Sequence, residues 1–184
     1  MSGINRYITT MLLIAIAFCG CRENQANRQM ANIESMLNDA PHVALDSLNS
    51  INYESLTDAD KHYYDFLRVK TDDKNYIEHV SDSLIKEVVE YESSHKGNDR
   101  YPESLYYAGR VYSDLGDYPR ALNYYHMALD AISATLENLN LKGRIESQQG
   151  QLLIQMGLIE ESMPHIDESL IISRGSISDI YRIF

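Results

Sequence analysis

The sequence predicts an all-α fold made of antiparallel helical hairpins, and three observations predict it. Beyond the N-terminal two dozen residues, apolar side chains recur at spacings of three and four, a period that helices make and strands do not. Gly, Pro, Asn and Asp gather between these periodic runs, where helices stop and restart. The third observation is internal repetition: Gly109, Tyr112, Ala121, Tyr125 and Ala128 are matched 41 residues later by Gly150, Leu153, Ser162, Ile166 and Ser169. The turn glycines Gly116 and Gly157 keep the same displacement.

The N-terminus is a segment of another kind. Residues 1–20 carry a positive charge at Arg6, an apolar stretch from Ile8 to Phe18 and small residues after it, the composition of a secretory signal peptide. That stretch falls short of the ~20 residues a membrane-crossing helix needs. Gly20-Cys21 resembles the end of a bacterial lipobox, which implies that Cys21 carries lipid and becomes the first residue of the mature chain. Residues 21–27 then form a lipidated polar tether. Cys19 and Cys21 are the only two cysteines, so no disulfide framework is expected.

Residues 28–101 read as degenerate helical hairpins. A first helix places Ile33, Met36 and Leu37 on one face; a second restarts at Pro41, a residue tolerated in the first turn, with Val43, Leu45 and Leu48 inward. The third opens at Thr57 with Asp60 three residues on, a capping-box pair in which the acid stands in for Glu. It carries Tyr63, Tyr64, Phe66 and Leu67 and ends near "TDDKN", read as a solvated turn because the glycine and full ligand ladder of a calcium loop are missing. Val80, Leu84, Ile85, Val88 and Val89 mark the fourth, whose Glu87, Glu90 and Glu92 read as a wet face. Forty-one residues before Gly109 stands Arg68, so this earlier stretch lacks a small residue at a helix crossing.

Residues 102–174 read as two repeats with the 41-residue period. Gly109 and Ala121 are small because two helices cross there, and a larger side chain would force the axes beyond their usual separation of about 8–10 Å. Tyr112 and Tyr125 fill the space beside the crossing, so most of the tyrosines in this region are packing. Gly116 ends one helix and Pro119 helps start the next, on which Ala121, Leu122, Tyr125, Ala128, Leu129 and Ile132 form an apolar face. From Ala121 to Asn138 there is neither Gly nor Pro to shorten the run, which predicts helices longer than those of the usual repeat. Residues 175–184 read as the start of a truncated further helix, the ninth.

The pattern of Gly109, Tyr112, Ala121 and Tyr125 is similar to the tetratricopeptide repeat, although its 41-residue spacing exceeds the usual period of about 34. The resemblance implies an α-solenoid whose concave groove holds a peptide or partner helix. Carried onto this chain, the groove face is Tyr106, Arg110 and Ser113 on one helix and Arg144, Ser147, Gln148, Gln151 and Gln155 on its successor. With the lipoprotein-type signal in front, the chain resembles tetratricopeptide lipoproteins and sensor-type tetratricopeptide membrane proteins of Bacteroidetes.

Composition narrows the function classes. With 16 Lys and Arg against 27 Asp and Glu, the net charge of −11 repels nucleic acid and anionic membrane surfaces. His42, His62, His79, His95, His126 and His165 show no pair at metal-ligand spacing. Nucleophile-elbow, phosphate-loop and dinucleotide glycine motifs are absent. The expectation is a non-catalytic protein-interaction scaffold without metal or cofactor, lipid-anchored in the cell envelope, in the outer membrane facing the periplasm. Alternatives are the sensor part of a larger signalling protein, or a fragment of an outer-membrane nutrient-uptake lipoprotein.

Overall fold

The computed structural model describes residues 25–95, 100–132 and 136–182, with side chains described up to Gly175 and not for 136 and 137. The signal peptide and Cys21 lie outside the described residues. Eight α-helices and one 3-10 turn make up the regular structure, with no strand among the described residues. The chain divides into two compact units after Ile77. The stretch 28–101 is therefore not one body, because its last helix packs within the second unit.

The first unit holds α1 (25–36), α2 (Pro41–Asn49), a 3-10 turn (Tyr53–Ser55) and α3 (Asp58–Lys74). Residues 25–27, expected in the tether, already belong to α1. Met30, Ile33, Leu37, Ala44, Leu48, Phe66 and Leu67 form the core, each contributing about 1.5–3 kcal/mol where a large aliphatic or aromatic side chain is fully buried. On α2 the inward pair is Ala44 and Leu48, one helical turn apart, and Val43 is turned to solvent. Thr57 caps α3 as its spacing predicts: its oxygen accepts from the Asp60 amide at 3.2 Å, and its hydroxyl donates to the Asp60 carboxylate at 2.9 Å. Glu34 joins α1 to α3, accepting from Tyr63 at 2.5 Å and pairing with Lys70 at 2.8 Å.

Helix α3 ends on Tyr76, a non-glycine residue at φ 57°. The amides of Tyr76 and Ile77 donate back to the carbonyls of Asp73 and Asp72. The same pair of bonds follows Gly116 (φ 74°) and Gly157 (φ 79°), where glycine takes the left-handed conformation freely. For tyrosine that conformation costs about 1–2 kcal/mol, and its side chain is 94% exposed.

The second unit contains α4 (Ser83–Ser94), α5 (Tyr101–Asp114), α6 (Tyr118–Ala131), α7 (Leu136–Gln155) and α8 (Ile159–Arg182). Val80 precedes α4 in an extended segment and is 90% exposed, so Ile85 and Val88 carry the inward face. Helices α5 and α6 are antiparallel, since Tyr112 stacks on Tyr124 near their turn while Tyr106 approaches Tyr125 farther back. Gly109 lies against the Tyr125 ring, and a methyl group built on it would overlap that ring. The second hairpin repeats this contact: a methyl on Gly150 would come within 2.8 Å of Ile166. Ile166 is Tyr125 displaced by 41, so one crossing is built twice with different filling. Ala121 and Ser162, also displaced by 41, are both buried.

The lengthening expected from the 41-residue period falls on α7 and α8 rather than on α6. Helix α6 stops at Ala131, and Ile132 is extended (φ −73°, ψ 126°). β-Branched Ile132 is a weaker helix former than the Ala-, Leu- and Met-rich turn before it, in a run that lacks Gly and Pro. The additional length goes to α7, which starts at 136, six residues before the 142 that a 41-residue shift of Tyr101 would give. The expected ninth helix does not exist as a separate element, because α8 continues through Gly175 to Arg182; a lone interior glycine costs only about 1 kcal/mol.

Gly109→Ala tests the crossing. Alanine is the better helix former by about 1 kcal/mol, yet overpacking against the buried Tyr125 is expected to cost about 1–3 kcal/mol net in urea unfolding. Adding Tyr125→Leu should recover part of the loss. Equal or greater stability of Gly109→Ala would remove this contact from the account.

Candidate functional site

In the second unit α5 and α7 lie side by side and run in the same direction, because Glu103 and Tyr107 reach Arg144 while Arg110 reaches Gln148. This pairing joins Tyr106 to Arg144 and Arg110 to Gln148, so the predicted groove residues are not a free stripe. Tyr106 is the clearest correction. It is 4% exposed, its ring 5.0 Å from Tyr107 and 6.0 Å from Tyr125, with the Arg144 guanidinium 4.4 Å above it. Tyr106 belongs to the packing because the arriving α7 covers it.

Arg144 fastens the two helices together. Its Nη1 lies 3.3 Å from Glu103 and its Nη2 donates to the Tyr107 hydroxyl at 3.0 Å. Burial acts to lower its pKa, and Tyr107, Tyr106 and Glu103 outweigh that, so the value is raised and the cation is fixed. Arg110 Nη1 donates to Gln148 Oε1 at 2.5 Å, and Gln151 Nε2 lies 3.4 Å from Ser147 Oγ. Gln151 and Gln155 are exposed; Ser113, Ser147, Arg110 and Gln148 are half-buried. What remains is a polar ledge of amides and hydroxyls along α7, able to donate to and accept from the backbone of an extended peptide.

Elsewhere in this unit Tyr112–Asp82, His79–Asp114 and His165–Glu146 are pairs that separations of 19 to 35 residues hid from the sequence, whereas Lys86 and Asp82 are one helical turn apart. Tyr112, a repeat position, donates to Asp82 at 2.8 Å, and Lys86 pairs with the same carboxylate at 2.6 Å. His79 holds Asp114 through its ring at 2.7 Å and its backbone amide at 3.1 Å. Burial acts to raise the Asp114 pKa, but those two hydrogen bonds and Arg110 bring it below the ordinary value. His165 and Glu146 join α8 to α7 at 2.7 Å. Among the described residues no three His, Cys, Asp or Glu side chains converge as a metal cluster. In the first unit an open hollow of about 290 Å³ is lined by Gln25, Gln29, Asn52 and the Thr57–Asp60 cap, whose polar atoms already serve the helix start.

Glu92 reverses its expected position on a wet face. It is 2% exposed, and its Oε2 has no hydrogen-bond partner among the described residues. Burial raises its pKa, against the opposing charges of Arg100 and His95. Helical spacing sets it one turn after Val88 on the inward side, a signal the sequence did carry.

No match is found among protein-family models, curated proteins or solved structures.

Glu92 gives a pH prediction whose sign follows from the raised pKa. An acid whose folded pKa exceeds its unfolded value destabilises the fold above the unfolded pKa and is neutral to stability below it. Glu92→Gln is therefore expected to raise the melting temperature at pH 7, with the gain vanishing as pH falls below the ordinary glutamate value of 4.5. A gain that persists unchanged at pH 4 would assign the effect to something other than ionisation.

Proposed function

We propose that this chain is a non-catalytic protein–protein interaction scaffold of the tetratricopeptide type, tethered to a membrane through lipid on Cys21 and facing the periplasm. The observation that carries the repeat assignment is the duplicated crossing, Gly109 on Tyr125 and Gly150 on Ile166, each preceding the same glycine-ended turn at Gly116 or Gly157. Stacked hairpins of this kind use their first helices to present a binding surface. Here the first helices are α5 and α7, and the polar ledge of Ser113, Ser147, Gln148, Gln151 and Gln155 lies along them.

Anchoring by lipid agrees with the helices themselves. Among the described residues no helix is long and apolar enough to cross a membrane. The acidic chain, at −11, is repelled by anionic headgroups, and the lipobox-like Gly20-Cys21 is what supports the lipid anchor.

Two measurements test this reading. Cys21→Ser should leave an intact helical protein that no longer sediments with membranes; unchanged partition would remove the lipid anchor. Crosslinking and affinity capture from the cell envelope should yield a defined protein partner, bound at least tenfold more weakly by Gln151→Ala/Gln155→Ala. Both side chains are exposed, so melting should not change. Undiminished binding would move the partner off the ledge, and the absence of any captured partner would tell against the scaffold.

A further inference from the structure

In the first unit Asp60 is buried without a countercharge. It is 4% exposed, and its Oδ2 accepts from the Thr57 hydroxyl at 2.9 Å. Among the described residues no second hydrogen bond reaches this carboxylate, and no cation lies within ion-pair distance of it. Lys61, next in sequence, stands over the Tyr53 ring at 5.3 Å. A buried carboxylate has given up hydration, and a helix N-terminus offsets that loss only in part.

The hollow of about 290 Å³ borders this residue. Its walls include Gln25 and Gln29, one turn apart on α1, and Asn52, just before the 3-10 turn. All three carboxamides are exposed, and none makes a side-chain hydrogen bond among the described residues. Once Thr57 and Asp60 Oδ2 have served the helix start, the hollow still offers one carboxylate oxygen and three free carboxamides. Its volume sits at the low end of small-molecule sites, which span ~300–1,000 Å³.

Negative charge with free acceptors calls for a cationic donor, and the lining narrows which one. Among the described residues no aromatic ring borders the hollow, so a quaternary ammonium would find no ring face to rest on. A guanidinium engages a carboxylate best through both oxygens, and one Asp60 oxygen is already taken by Thr57. A primary ammonium is compact and carries three donors, enough for Asp60 and two carboxamides.

We propose that this hollow binds a small primary amine in its ammonium form, bearing a hydroxyl or amide group for the remaining carboxamide. Asp60 supplies the countercharge, and Gln25, Gln29 and Asn52 fix the orientation. The site depends neither on the ledge of α5 and α7 nor on lipid at Cys21.

The probe is ethanolamine, titrated into the full chain and followed through backbone amide shifts by NMR. Saturable shifts are expected at Gln29, Asn52 and Asp60, with choline binding about tenfold or more weakly. Asp60→Asn keeps an acceptor for the Thr57 hydroxyl and removes the charge, so binding should weaken by about tenfold or more. Because that position belongs to a helix cap, Gln29→Ala/Asn52→Ala is the second variant. Both of its positions are exposed, so its melting should match the wild type while its ethanolamine affinity falls. No saturable shift, equal binding of choline, or undiminished binding by either variant overturns the proposal. Phosphatidylethanolamine vesicles distinguish a lipid headgroup from a soluble amine as the source: displacement of bound ethanolamine assigns the first, and its absence the second.

Discussion

The second unit depends on how closely the Tyr125 ring of α6 approaches the backbone of α5 at Gly109. With no side chain at that point, α5 admits the Tyr125 ring, which is itself fully enclosed. Interiors packed to crystal-like density leave no slack for such a ring to retreat. The approach sets the distance between α5 and α6, and with it the platform on which α7 arrives. At Gly150 the side chain that fills the place is the aliphatic Ile166.

Polar side chains inside these hairpins join one helical segment to another. Arg144 binds Glu103 and Tyr107, Tyr112 reaches Asp82, and His165 meets Glu146, each contact linking two different helical segments. Such groups sacrifice hydration to reach these positions, and their partners offset the loss only while the helices keep their register. The contacts therefore favour one stacking arrangement over its neighbours. Glu92, with one buried oxygen that has no hydrogen-bond partner among the described residues, is a reservoir of strain.

Much of the architecture was legible because local and repeated signals fix it. Thr57 and Asp60 announce a helix start within four residues, and the 41-residue displacement ties Gly116 to Gly157 as identical turns. Side-chain orientation was legible only where a helix has one partner. Tyr106 was misplaced because two helices, α6 and α7, cover α5 from different sides, and a single-helix pattern records only one of them. Val43 and Ala44 differ by a 100° turn of the helix, and hydrophobicity favours the wrong one, since it ignores that alanine allows closer packing. Helix ends fared worst. The break after Ala131 has no Gly or Pro to mark it, and the continuation through Gly175 comes from neighbours that tolerate a glycine.

Tyr76 carries a consequence of another sort. It ends α3 in a conformation that glycine adopts at no cost, and its ring, almost wholly in solvent, returns little packing energy. The last turn of α3 is thus held by backbone bonds working against local strain, whereas the turns after Gly116 and Gly157 have no such opposition. Opening free energies differ from place to place within a native protein, and amide hydrogen exchange reads them. The amides of Tyr76 and Ile77 should exchange faster than those of Gly116 and Asp117, although both pairs close the same hydrogen-bonded turn. One residue's handedness preference thereby makes otherwise equivalent helix ends unequal in lifetime.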